Sequence, residues 1–331
     1  MVAMKSRISL LILAFVLVFT LTACGPKSSG SIVEGKVNVV TTFYPIYEFT
    51  REIGGDDINA INLLPVGVEP HDWTPRSQDI VNTSKAQLFL YNGAGLEGWV
   101  PNFLKGLDSS SKVEAVEVSK GIDLIMTDED DGHDHGGSGE EDHHEEDADH
   151  NSHSGDSLHT DPHTWVSPKS AIIMARNIKD SLESVDPEHK DGYEERYKKL
   201  AERLQALDSK FEQELTKLPN HEIVVSHQAF SYLARDYGLE QHAIMGLSPD
   251  AEPRGQDLVN LAKLVKDEGI KYIFFEELVS DKLAKTLAAE AGVSTMVLNP
   301  VEGLTAEQEK NGDNYFTLME KNLQNLIMAL Q

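Results

Sequence analysis

The pattern of apolar and polar positions divides the chain into two similar halves separated by a long helix. In the first half, apolar and β-branched runs such as "KVNVVTTF", "INAINLL", "QLFLYNG" and "KVEAVEV" alternate with amphipathic segments such as "PIYEFTREIGG". In the second half, "HEIVVS", "QHAIM", "KYIFF" and "STMVLNP" alternate with segments such as "RGQDLVNLAKLVKDEG" and "DKLAKTLAAEAG". Strands that alternate with helices indicate parallel, doubly wound sheets. We therefore predict two α/β lobes, at residues 36–185 and 219–331, with a cleft between them.

Residues 186–218 are predicted to form a single linking helix. Its apolar residues recur at steps of three and four, at Tyr193, Tyr197, Leu200, Leu204, Leu207, Phe211 and Leu215. Asp186 with Pro187 marks its beginning and Pro219 its end. A helix of roughly 30 residues is about 45 Å long. It is long enough to run beside both lobes as a rigid strut that restricts their relative motion.

The N-terminus has the layout of a secretory signal. Lys5 and Arg7 precede an apolar run at 8–21, and small residues precede Cys24. The run is short for a membrane-spanning helix, although an uncleaved anchor is the alternative. "LTAC" followed by glycine resembles the lipobox of bacterial lipoproteins, which implies a signal peptide at 1–23 and a lipid on the Cys24 sulfur. Residues 24–35 are then a flexible tether on the extracytoplasmic face of the membrane.

About half of the formal net charge of −26 lies in one segment. Residues 128–160 contain thirteen acidic residues and no lysine or arginine. They also contain seven histidines: His133, His135, His143, His144, His150, His153 and His159. With almost no apolar residues, the segment is predicted to be a disordered loop. Its composition favours weak binding of several metal ions, the alternative being a solubilising acidic loop. The acidic balance argues against nucleic-acid binding.

Three further histidines and a pair of glutamates lie at predicted element junctions. His71 follows a strand in "LLPVGVEPHDWTP", His163 precedes a helix in "DPHTWVSP", and His227 joins a strand to a helix. Glu276 and Glu277 end the strand of "IFFEELVS". Ligands of open α/β sheets bind at the carboxyl ends of strands, and three imidazoles with one carboxylate suit tetrahedral Zn²⁺. Imidazole also binds copper, nickel and cobalt. The alternative to a metal site is that these histidines only form hydrogen bonds within their loops.

Several motifs together resemble one family. "GVEPHDW", "DPHTWVSP", "SHQAFSYLARDYGL", "FFEELVSDKLAKTLAAEAG" and "LNPVEGLT" are similar to the zinc-specific substrate-binding lipoproteins of bacterial ABC transporters, the ZnuA/AdcA type of the cluster A-I metal-binding proteins. The resemblance extends over 37–330. It implies extracytoplasmic capture of Zn²⁺, delivery to an ABC permease, and the ligands His71, His163, His227 and Glu276. Glu277 or a water molecule is the alternative fourth ligand.

Other functions fit the sequence less well. Manganese-binding relatives typically have a glutamate in place of His227, and an aspartate in the loop that reads "LNPVEG" here, where Pro300 offers no ligand. A zinc hydrolase needs an open coordination position and a general base; the chain has no HExxH motif, although Glu277 or Asp72 could serve as the base. Binding of another divalent metal and a role as a surface adhesin are further alternatives. We expect a monomeric binding protein that is not an enzyme.

Overall fold

The computed structural model describes residues 30–127, 158–251 and 253–331. The predicted signal peptide and Cys24 lie outside the described residues. The same is true of six loop histidines: His133, His135, His143, His144, His150 and His153. Within the described ranges, no helix combines the length and the apolar character needed to cross a membrane.

The first lobe is built on a four-stranded parallel sheet in the order β2-β1-β3-β4. Its strands are β1 (Val37–Thr41), β2 (Ile58–Asn62), β3 (Leu88–Tyr91) and β4 (Glu114–Glu117). Three helices connect them, namely α1 (Tyr44–Gly54), α2 (Ser77–Thr83) and α3 (Val100–Lys105). The central strand β1 is buried almost throughout, as expected of a parallel sheet covered on both faces.

The last two residues of the acidic segment form a short strand. β5 (Met126–Thr127) pairs antiparallel with β6 (His159–Thr160), with Thr127 opposite His159. The prediction of disorder through residue 160 is therefore wrong for the last two residues, because backbone pairing with the chain before the segment orders them. A single-turn 3₁₀ helix at Thr164–Val166 and the long helix α4 (Pro168–Val185) follow.

The second lobe repeats the first. Its parallel sheet has the order β10-β9-β7-β8. The strands are β7 (Glu222–His227), β8 (Glu240–Met245), β9 (Tyr272–Phe275) and β10 (Ser294–Val297). The helices are α6 (Ser231–Tyr237), α7 (Gly255–Asp267), α8 (Lys282–Ala291), α9 (Ala306–Asn311) and α10 (Tyr315–Leu330).

The linking helix α5 (Lys190–Leu215) has 26 residues, which is about 39 Å at the rise of an α-helix. It is shorter than predicted because a separate 3₁₀ turn occupies Pro187–His189. The predicted apolar stripe is buried at Tyr193, Leu200, Leu204, Leu207, Phe211 and Leu215. One continuous apolar core includes this stripe, α4 and residues of both lobes. The prediction of two parallel-sheet lobes joined by a long helix is confirmed.

Candidate metal centre

Four buried side chains converge between the lobes. His71 lies in the loop after β2, and His163 immediately precedes the 3₁₀ turn that leads to α4. His227 is the last residue of β7, and Glu302 lies in the loop after β10. Each lobe therefore contributes two side chains. The exposed fraction is 7% for His71, 1% for Glu302 and 0% for the other two.

The ligand atoms of this group have the spacing of a tetrahedral metal site. His163 Nε2 lies 3.1 Å from His71 Nε2 and 3.2 Å from His227 Nε2. Glu302 Oε1 lies 3.6, 3.5 and 3.7 Å from the Nε2 atoms of His71, His163 and His227. Zinc bonds to nitrogen and oxygen are about 2.0–2.2 Å long, so the edges of a zinc tetrahedron measure about 3.4 Å. An ion at the centre would contact all four atoms.

Two carboxylates behind the group orient two of its three imidazoles. Asp161 Oδ1 lies 2.9 Å from His163 Nδ1, and Glu276 Oε1 lies 2.7 Å from His227 Nδ1. Each Nδ1–H donates to its carboxylate, which leaves the lone pair of Nε2 directed at the centre. Ser226 Oγ donates to Glu276 Oε1 at 2.8 Å and fixes that carboxylate in turn. Such carboxylate–histidine pairs commonly set the tautomer and basicity of zinc-binding histidines.

The carboxylate of the group is Glu302 and not the expected Glu276. β9 lies beside β7, so the side chain that follows β9 meets the Nδ1 edge of His227 and cannot also reach its Nε2. The alternative, Glu277, accepts hydrogen bonds from Asn299 Nδ2 at 2.7 Å and Gln308 Nε2 at 2.6 Å. Its carboxylate therefore supports the loop after β10. His159 lies in β6 and is not part of the buried group.

The sequence analysis missed Glu302, although a signal was present. In the loop "LNPVEG", Pro300 offers no ligand, but Glu302 lies two residues further on. Yet this loop follows the carboxyl end of β10, where the rule that located His71 and His227 also applies. Glu302 Oε1 is buried and accepts no hydrogen bond from the described residues. A buried carboxylate oxygen surrounded by three imidazole nitrogens has the environment of a metal ligand.

The charges of the group are strongly coupled. Burial alone would lower the pKa of His227, but Glu276 and Glu302 outweigh burial and hold that pKa well above its usual range. At His163 burial likewise acts to lower the pKa, but the hydrogen bond to Asp161 and the nearby Glu302 carboxylate outweigh it, and the pKa of His163 is raised. Burial lowers the pKa of His71. Burial would raise the pKa of Glu302, but the three imidazoles that face its carboxylate hold that pKa well below its usual range.

A cavity of about 880 Å³ adjoins the His71 loop and lies between the lobes. Glu69, Asp72 and Asp250 contribute carboxylates to its lining. Glu69 Oε1 accepts the backbone N–H of His71 at 2.9 Å and lies 4.0 Å from its Nε2. Burial and the nearby Glu302 raise the pKa of Glu69 to about 8. Arg76 and Lys282 also line the cavity, so its wall carries groups of both charge signs. Glu69 connects this wall to the group, because its Oε1 lies beside the His71 ring.

Known proteins resemble this chain over most of its length. Residues 39–329 match the family described as zinc-uptake complex component A, periplasmic (ZnuA). The zinc-binding lipoprotein AdcA of Streptococcus pneumoniae is 42% identical over 97% of this chain. The chain spans 60% of that relative's length. The high-affinity zinc uptake system protein ZnuA of Bacillus subtilis is 40% identical over 91% of both chains.

The structural comparison agrees with these relationships. The crystal structure of the Zn(II)-bound ZnuA-like domain of Streptococcus pneumoniae AdcA has a TM-score of 0.72 and 40% sequence identity. The match covers 89% of this chain and 99% of that domain. The family match, the two-lobed fold and the His₃Glu group between the lobes lead to one conclusion. The chain belongs to the ZnuA family of zinc-uptake binding components.

Proposed function

We propose that the protein captures Zn²⁺ outside the cytoplasm and delivers it to an ABC permease. The observation that carries the proposal is the convergence of three buried imidazole nitrogens and one carboxylate oxygen, which all lie within 4.8 Å of one another. In this proposal His71, His163, His227 and Glu302 ligate the ion. Nitrogen-rich tetrahedral sites suit zinc, whereas Mn²⁺ favours sites richer in oxygen and of higher coordination number.

The same geometry supports a binding role over a catalytic one. The family consists of binding components for transport. Four protein atoms complete a zinc tetrahedron, whereas catalytic zinc keeps a position open for water or substrate. In this proposal zinc is the transported ion, and it enters and leaves through the cavity beside Glu69 and Asp72. The protein is expected to act as a monomer and to show no turnover of ester or peptide substrates.

We infer that the protein works at the membrane surface through a lipid on Cys24. The relative from Streptococcus pneumoniae is described as a lipoprotein, and the sequence around Cys24 resembles a lipobox. Labelling cells with a radioactive fatty acid tests the anchor. Label should follow the protein, and Cys24→Ala should abolish it.

Competition between Zn²⁺ and Mn²⁺ tests the proposed cargo. The purified protein should bind one Zn²⁺ tightly, with a preference over Mn²⁺ of several orders of magnitude. His227→Ala should remove tight binding. His242→Ala is the matched control, because His242 bonds Glu222 on the outer part of the second sheet and should leave tight binding intact. Equal affinity for the two metals would reject the zinc assignment.

Uptake by cells tests delivery. The host is a zinc-dependent strain that lacks its own binding component. This protein should restore growth in medium from which zinc has been chelated, but only when the ABC permease that works with this protein is also present. Growth that is restored without the permease would contradict delivery through that route.

A further inference from the structure

Trp165 contacts both lobes directly beside the metal centre. Its side chain is completely buried. The indole ring packs edge-on against Phe43 of the first lobe, with ring centroids 4.6 Å apart. The indole N–H donates to the backbone oxygen of Pro300 in the second lobe at 2.7 Å. One side chain therefore connects the segment that carries His163 to the loop that carries Glu302.

The loop that receives this hydrogen bond has an unfavourable backbone conformation. Val301 has φ = 59°, and among the described residues only Ala94 is another non-glycine with positive φ. A β-branched side chain disfavours this left-handed region. Val301 lies between Pro300, which accepts from Trp165, and the ligand Glu302. Strained residues persist only where their surroundings hold them.

Two sets of hydrogen bonds hold the residues that lead into Val301. In the first, Asn299 Oδ1 accepts the Val301 N–H at 2.7 Å. Asn322 fixes Asn299 through two bonds to its backbone, of 2.8 and 2.6 Å. The second is the bond from Trp165 to the backbone oxygen of Pro300. The Trp165 backbone oxygen itself accepts from the Tyr315 hydroxyl at 2.8 Å.

We propose that Trp165 is a positioning residue that places the Glu302 carboxylate against the three imidazoles. Its indole N–H holds the strained turn at Val301, and through it the carboxylate, at a fixed place relative to His163. The inference rests on the proposed zinc function. Without this bond, the turn at Val301 loses its hydrogen bond to the segment that carries His163. Glu302 would then leave the centre while His163 and His227 stay, held by Asp161 and Glu276.

Trp165→Phe tests the proposal because it keeps an aromatic ring on Phe43 and removes only the N–H donor and part of the ring. Loss of a supporting group behind a metal ligand typically lowers affinity about 10- to 100-fold, and we expect a loss in that range for Zn²⁺. The absorption spectrum of the Co²⁺-loaded variant should shift toward that of Co²⁺-loaded Glu302→Gln. Trp99→Phe is the matched control, because Trp99 packs in a separate apolar cluster with Phe89.

A double-mutant cycle shows whether Trp165 acts through Glu302. In the Glu302→Gln background, Trp165→Phe should change zinc affinity by no more than about twofold, the scatter expected when no coupling remains. An undiminished effect in that background would overturn the proposal, since Trp165 would then act elsewhere, for example on His163. An unchanged affinity and Co²⁺ spectrum in the single variant would overturn it as well.

Tyr315→Phe provides a second, milder perturbation should Trp165→Phe not fold. It deletes only the hydroxyl that supports the Trp165 backbone, with Tyr237→Phe as the control. Zinc affinity should fall several-fold in wild type and remain unchanged in Glu302→Gln; an equal fall in both backgrounds would reject the proposal. If the wild-type protein lacks a tight zinc site, the proposed function fails too. A tight wild-type site with unaffected variants rejects only the role of Trp165.

Discussion

Replacing Glu302 with glutamine is expected to weaken zinc binding far more than the same replacement at Glu276. Glu302 is 1% exposed, and its Oε1 faces all three Nε2 atoms. Removing one partner of a buried charge pair costs about 3–5 kcal/mol. At about 1.4 kcal/mol per factor of ten, affinity should fall roughly a hundred- to a thousandfold or more. Among the three imidazoles, Glu276 hydrogen-bonds only the outer nitrogen of His227, so its replacement should lower zinc affinity about 10- to 100-fold.

The assay is a zinc titration against a chelator of known affinity, carried out at pH 8 to limit competition from protons. Absorption by Co²⁺-loaded protein provides an independent view of the ligand set. Glu276→Gln should keep the intense bands of a tetrahedral site, because all four ligand atoms remain. Glu302→Gln should change them, because a carboxylate oxygen is lost from the centre.

Glu290→Gln is the matched control, since it removes one negative charge from an exposed position on α8. Its zinc affinity should equal that of wild type. A larger loss for Glu276→Gln than for Glu302→Gln, with the spectral change in the former, would refute the placement of the two carboxylates and restore the ligand set expected from sequence.

Three further predictions concern pH, the acidic segment and the linking helix. The pKa values of His163 and His227 are raised, so protons compete with zinc for these imidazoles. Zinc affinity should therefore begin to fall at a pH above 6.5, the usual pKa of histidine, and fall further as the pH is lowered. A zinc affinity that stays constant between pH 8 and 5.5 would contradict a three-histidine site. Deleting 132–157 should lower the total zinc stoichiometry in equilibrium dialysis and leave one tight site. His163→Ala should weaken the tight site strongly and leave the weak sites of the acidic segment unchanged. Loss of the tight site on deletion would show that the segment and the tight site are not independent. Leu207→Ala should lower the free energy of unfolding by about 2–5 kcal/mol in urea titrations, because Leu207 is buried in the shared core. A decrease in the free energy of unfolding of less than about 0.5 kcal/mol, as is usual at exposed positions, would contradict tight packing of α5.

The sequence alone determined the order of the secondary-structure elements and identified the three histidines of the metal centre. Alternation of apolar strands with amphipathic helices is a local signal, and it predicted all eight strands of the two parallel sheets. His71, His163 and His227 could be found because each lies next to a recognisable strand or helix boundary. The stripe from Tyr193 to Leu215 likewise follows from helical spacing, and burial along α5 matches it.

Only the tertiary structure decided which carboxylate faces the imidazoles. Glu276, Glu277 and Glu302 all follow strands of the second sheet, so local pattern cannot distinguish them. The choice depends on which edge of the His227 ring faces β9 and on a strained turn at Val301 that is held by Trp165 from the other lobe. The pairing of β5 with β6 is equally non-local, because it joins residues more than 30 positions apart. These features arise from contacts between distant segments, whose geometry exists only once the two lobes have packed together.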